Sequence, residues 1–154
     1  MSVYQFHKKQ FIPASMEEVW DFISSPRNLK VITPDYLNFS IKSNHLTDKM
    51  YAGMMILYTV KPLLNIKMNW LTEITQVKEK KFFIDEQRLG PYKIWHHEHH
   101  IEVVDGGVMM TDLITYQPPL GFMGRWVNKL FIRKKINEIF EYREKTLAHI
   151  FIKK

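Results

Sequence analysis

Residues Asp85 to Pro119 read DEQRLGPYKIWHHEHHIEVVDGGVMMTDLITYQPP, and the period of this stretch decides the fold. Successive side chains on a strand point to opposite faces. On that alternation Trp95, His97, His99, Ile101 and Val103 share one face of a strand from Ile94 to Val104, and His96, Glu98, His100 and Glu102 share the other. Asp105-Gly106-Gly107 is the clearest hairpin signal in the chain, and beyond it Val108 to Gln117 forms a second strand with Met110, Asp112, Ile114 and Tyr116 on one face. The first face of the histidine strand is the interior one. It holds an indole, two imidazoles and aliphatic side chains, and polar groups in a core are costly unless hydrogen-bonded. The composition therefore predicts the wall of a pocket that takes a small molecule.

Working outward, the residues before this stretch read as further strands broken by turn signals: Val3 to Ile12, Leu37 to Asn44, Met54 to Val60, Ile66 to Val77 and Lys81 to Leu89. In the Ile66 strand, Ile66, Met68, Trp70, Thr72 and Ile74 face the core. In the Lys81 strand, Phe83, Asp85 and Gln87 face inward if Glu86 and Arg88 face solvent. Between the first two strands, Ser15-Met-Glu-Glu18 has the form of a capping box, followed by the apolar stripe Val19, Trp20, Phe22 and Ile23. Ser24-Ser25-Pro26 breaks that helix, and PRNLKVITP adds one or two further helical turns before Pro34 stops them. After Pro118-Pro119 no proline occurs, and Trp126, Leu130, Ile136, Phe140, Leu147 and Ile150 recur at mostly helical spacing. This predicts a C-terminal helix of roughly 30 residues, about 45 Å long.

With 154 residues, no internal repeat and no linker, residues 1–154 form a single domain large enough to bury a core. Cysteine is absent, which excludes a disulfide framework, a thiol nucleophile and a thiolate metal site, and fits a reducing compartment. No apolar run approaches the roughly 20 residues of a membrane span and none resembles a signal peptide, so a cytoplasmic location is expected. Lysine and arginine number 22 against 16 acidic residues, a net charge of +6, with Arg125, Lys129, Arg133, Lys134 and Lys135 concentrated in one segment. Such a patch can attract nucleic acid, an anionic membrane or an anionic ligand. No recognition-helix pattern, RNP-like motif or zinc finger accompanies the charge, so nucleic acid is not an expected partner. Nucleophile elbow, phosphate loop, HExxH and dinucleotide fingerprint are likewise missing.

The order of elements is strand, two short helices, six further strands, long helix. Together with DEQ-x2-GPY, W-x-H-x-H, a GG hairpin followed by M-x-D, and Y-x-PP-LG-x-x-G, it resembles the bacterial SRPBCC proteins, the superfamily of START lipid-binding domains, the Bet v 1 allergen and polyketide cyclases. The resemblance runs over the whole chain. It implies an α+β helix-grip (Bet v 1-like) fold, with a curved antiparallel sheet of about seven strands around the C-terminal helix and an apolar cavity between them. It implies no metal and no cofactor.

On this reading Tyr58, Met68, Trp70, Trp95 and Tyr116 line the cavity, where aromatic rings stack on a ligand, and nine methionines favour an adaptable lining. Asp85, Gln87, His97 and His99 supply polar anchors, with Asp85 orienting an imidazole and Gln87 binding a carbonyl. Asp112 is a buried partner of the histidines or a working group in its own right. His97, His99, Asp85 and Asp112 are also the candidates for acid/base catalysis, since imidazole titrates near neutral pH. The same histidines with Asp85 or Asp112 could hold a metal, but strand histidines more often satisfy carboxylates, and no metal is expected. Phe122 and Met123, in an apolar segment flanked by glycines, are candidates for a gate or a membrane-touching tip. The leading expectation is a carrier or sequestering protein for a lipid, isoprenoid or polyketide-like molecule. A cyclase or dehydratase is the alternative, and a membrane-docking or protein-interaction module is the second. Oligomeric state is not legible.

Overall fold

The computed structural model describes residues 2–62, 66–119, 126 and 128–152. Seven strands form one antiparallel sheet in the order β1-β7-β6-β5-β4-β3-β2. In chain order β1 is Tyr4–Ile12, β2 Ser40–Ile41, β3 Met54–Val60, β4 Met68–Lys78, β5 Phe82–Leu89, β6 Ile94–Val104 and β7 Gly107–Gln117. Helix α1, Met16–Ile23, and a 3-10 turn at Pro26–Leu29 follow β1, and helix α2, Arg133–Ile152, lies after β7 behind a π-helical turn at Asn128–Ile132.

Local chemistry explains these boundaries. Ser15 caps α1 through its side chain, which accepts from the Glu18 N–H at 3.2 Å, while the Ser15 N–H donates to Glu18 Oε2 at 3.1 Å. The β6–β7 hairpin turns on Gly106, at φ +76°, a conformation that favours glycine. A Cβ on the next residue, Gly107, would collide with the backbone oxygen of Ile12, because β1 closes over the start of β7. Register shifts in β4 between Leu71 and Thr72 and between Ile74 and Gln76 bend the sheet into its curve.

Along the π-helical turn and α2 the inward stripe is Ile132, Ile136, Phe140, Arg143, Leu147 and Phe151, spaced by three or four residues. It meets two apolar clusters. Leu147 and Phe151 pack with Trp20, Ile23, Phe83 and Met110 at one end, and Ile132, Ile136 and Phe140 pack with Ile114 and Tyr116 at the other. Between them β7 carries Asp112 and α2 carries Arg143, so a polar layer divides the core.

Four sequence expectations are corrected. The strand expected from Leu37 to Asn44 shrinks to two residues, because Asp35–Leu37 form a 3-10 turn that ends on Asn38 at φ 47°. Ile66 precedes β4 and is exposed rather than in the core. Val103 is 71% exposed although its partner Val108 is buried: β5 pairs with β6 only as far as Phe82 opposite His100, so Val103 projects past its neighbour strand. Trp126 and Leu130 are exposed too, since both fall off the stripe through residues 132, 136 and 140.

Leu147 is fully buried in the larger cluster, so Leu147→Ala should lower the unfolding free energy by about 2–5 kcal/mol. Val103→Ala should change it by less than about 0.5 kcal/mol. Urea titration of the two variants checks the assignment, and equal losses would refute it.

Candidate functional site

The site is built by cross-strand register. Asp85 on β5 lies opposite His97 on β6, and His99 on β6 lies opposite Phe83 on β5 and Asp112 on β7. Directly opposed residues share a face, so two carboxylates and two imidazoles converge on the inner side. The two imidazoles lie against each other with centroids 3.7 Å apart, and the Phe83 ring stacks on His99 at 4.0 Å.

Each imidazole reaches both carboxylates. His97 Nε2 lies 2.9 Å and His99 Nδ1 also 2.9 Å from the same oxygen, Asp112 Oδ1. On the opposite side His99 Nε2 lies 2.9 Å and His97 Nδ1 3.5 Å from Asp85 Oδ2. Arg143, arriving from α2, places Nη1 3.8 Å from Asp112 Oδ1 and its guanidinium 4.6 Å above the Phe140 ring.

Burial opposes charge on all four groups, and the partners decide the result. For Asp85 desolvation acts upward, but the hydrogen bond from His99 and the charges of His97, His99 and Arg143 hold the carboxyl below its ordinary range. Asp112 is lowered against desolvation by its hydrogen bonds from both histidines. His97 is pushed down to about 4 by burial and then by the charge on His99. His99 is raised, because its hydrogen bonds to Asp112 and Asp85 outweigh desolvation. His99, with a carboxylate oxygen 2.9 Å from each ring nitrogen, is the imidazole of the pair that its surroundings favour in the protonated form. His97 is neutral, donates Nε2–H to Asp112, and turns the lone pair of Nδ1 toward Asp85.

Above this layer a cavity of about 140 Å³ lies between the sheet and α2. Tyr58, Trp70, Asp85, Trp95, His97 and His99 wall it from the sheet, and Ile136, Ile139, Phe140 and Arg143 from the helix. Trp95 meets Trp70 edge to face at 5.4 Å, and Tyr92 lies 4.8 Å from the Trp95 ring. The buried Trp70 Nε1 and Arg143 Nε have no hydrogen-bond partner among the described residues. Tyr58 shares a hydrogen bond of 3.1 Å with Thr72, and burial raises its hydroxyl pKa.

Several expected residues stand elsewhere. Gln87 does not reach the cavity: its amide clamps the β5–β6 turn, donating to the Tyr92 carbonyl at 2.6 Å and accepting from the Tyr92 N–H at 3.2 Å. Met68 is half-buried at the start of β4 and outside the lining. Tyr116 is buried behind Tyr92 and Trp95. Phe122 and Met123, the gate candidates, lie outside the described residues, as does Arg125. Sequence reasoning missed Arg143, although a charged residue on the apolar helical stripe signalled it, and it missed Tyr92 within the GPY turn.

No protein-family model matches this chain, and no curated protein matches its sequence. In structure it is similar to a protein from Thermus thermophilus, with a TM-score of 0.70, 17% identity and 97% of each chain covered. Ara h 8.0201 superposes with a TM-score of 0.60 at 15% identity, covering 95% of this chain and 98% of its own. The major latex-like protein 151 of Panax ginseng does so with a TM-score of 0.66 at 9% identity, covering 97% of each chain. The fold is accordingly the helix-grip fold of Bet v 1-like proteins. No helix among the described residues is long and apolar enough to cross a membrane.

Removing the Asp112 carboxylate takes a 2.9 Å partner from each of the two buried imidazoles. Asp112→Ala should lower stability by about 3–5 kcal/mol, as breaking a buried charged pair does. Glu98→Ala, on the outer face beside His96 and His100, should cost below about 1 kcal/mol. Denaturant melts of the two variants measure the contrast, and a stable Asp112→Ala protein would show that the buried network does not form.

Proposed function

We propose that this chain is a cytoplasmic binding protein for a ring-sized organic molecule that carries a hydrogen-bond-accepting oxygen. The observation that supports this most is the pairing of an aromatic-walled cavity with two buried donors, Trp70 Nε1 and Arg143 Nε, that the described chain leaves unpartnered. Leaving a buried donor unsatisfied costs about 1–3 kcal/mol, a loss that a ligand oxygen would reverse on binding. The volume narrows the ligand. Drug-sized molecules use pockets of about 300–1,000 Å³, and a 140 Å³ space takes one ring with a small substituent. A lipid, isoprenoid or polyketide-like molecule would place only its ring or tip there unless α2 moved away from the sheet.

Tryptophan fluorescence and calorimetry with benzene, benzaldehyde and benzoate test this reading. The oxygenated rings should bind more tightly than benzene, and Trp70→Phe should remove most of that preference while leaving the ring affinity. Equal affinity for all three compounds in both proteins, or none for any, would overturn it.

An acid/base enzyme of cyclase or dehydratase type is the second reading, supported by the neutral His97 and its unprotonated Nδ1 on the cavity wall. It differs by turnover, lost in His97→Gln. A membrane-surface contact has its own support in the exposed Trp126, Leu130 and Phe131 beside exposed Lys129, Arg133 and Lys134. Co-sedimentation with anionic vesicles should then weaken in Phe131→Asp and Arg133→Glu, and binding indifferent to both would dismiss it.

A further inference from the structure

The two histidines present their nitrogens in an ordered way. His97 Nδ1 and His99 Nε2 both face one oxygen, Asp85 Oδ2, at 3.5 and 2.9 Å, and the remaining nitrogen of each ring faces Asp112 Oδ1 at 2.9 Å. Buried imidazoles need partners for both nitrogens, but sending one nitrogen of each ring to a single shared oxygen on the cavity wall suits a further purpose as well. In metal sites a ligating imidazole gives one nitrogen to the ion and donates its other N–H to a carboxylate that fixes tautomer and ring orientation. We propose that Asp85, His97 and His99 form a site for a divalent first-row transition metal, with Asp112 as the carboxylate that positions both imidazoles.

The dimensions agree. Metal–nitrogen and metal–oxygen bonds of about 2.0–2.2 Å put tetrahedral ligand atoms roughly 3.3 Å apart. One ligand atom from each of the three residues lies within 4.8 Å of the others, and the separations of the two histidines from Asp85 Oδ2, 3.5 and 2.9 Å, bracket that figure. The ion would draw the three ligand atoms together from separations of no more than 4.8 Å and replace the proton now shared between His99 Nε2 and Asp85. Two imidazoles and one carboxylate suit zinc, cobalt or ferrous iron rather than the all-oxygen preference of calcium or magnesium.

Three protein ligands leave a coordination position open, as in catalytic rather than structural sites. All three residues line the cavity, so that position can face it. A divalent ion and the Arg143 guanidinium against two carboxylates leave one surplus positive charge. An anionic oxygen on the ligand would neutralise it. The choice of organic ligand rests on the cavity reading proposed above, but binding of the ion itself does not.

Co²⁺ and Zn²⁺ titrated into the metal-free full chain, with no organic compound present, test the site. Co²⁺ should bind one per chain with the visible absorption of a four- or five-coordinate centre, and Zn²⁺ should displace it. His97→Gln and His99→Gln should abolish the spectrum, and Asp112→Asn should weaken affinity about 10–100-fold. The double variant His96→Gln, His100→Gln, which alters only the outer face, should bind as wild type and controls for a surface histidine site. Absence of a Co²⁺ spectrum in the wild type, or a spectrum lost only in the outer-face variant, would overturn the proposal. Ring ligands titrated into the metal-free protein report on the cavity separately, so either reading can fail while the other stands.

Discussion

The interior depends on the two adjoining imidazoles held between Asp85 and Asp112. A lone buried charge is too costly to keep, and this layer gives its two carboxylates partners in both imidazoles, with the Arg143 guanidinium beside Asp112. Such a set tolerates no slip. Shifting β6 by one residue would turn His97 and His99 outward and bring His96, Glu98 and His100 into the core, the cost that makes strand register strict wherever one face is buried. The same layer ties α2 to the sheet, because Arg143 is the helix residue that completes it.

Placing this layer midway along β7 divides the interior into unlike halves. On the Met110 side, Leu147, Phe151, Trp20 and Phe83 fill the space with close apolar contact. On the Tyr116 side, Tyr92, Trp95 and Trp70 meet mainly edge to face or tilted, and rigid rings packed at such angles leave the space that becomes the cavity. The polar groups sit at the floor of that space, where they are shielded from water yet reachable by a ligand.

Much of this is legible in the chain because period carries it. The alternation in WHHEHHIEVV assigns every histidine to its face, and the capping box at Ser15 and the hairpin at Asp105-Gly106 need only local chemistry. Asp85 is reachable through the outward charges of Glu86 and Arg88. What fails requires knowledge of neighbours. Val103 obeys the alternation but outruns the strand beside it, and Gln87 points inward yet is spent on the Tyr92 turn. Arg143 is hidden for a different reason: its charge suggests a solvated helix face, whereas its spacing from Phe140 and Leu147 puts it among the buried residues. The cavity's small volume depends on how close α2 lies to the sheet, which no periodicity specifies.

The run HHEHH shows how one composition serves two energetic regimes. His96 and His100 pair with Glu86 and Glu98 where solvent screens the attraction, so those contacts add little. His97 and His99 make bonds of similar length where water is excluded, and there each missing partner would be expensive. Unpartnered donors on Trp70 and Arg143 are thus an exception within a region that otherwise satisfies its polar groups with care. Local departures of that kind concentrate where a protein binds something, and the stability they cost has to be offset elsewhere. The tightly filled half around Leu147 and Phe83 can supply that offset, which allows the hollow half to keep donors waiting for a partner from outside the chain.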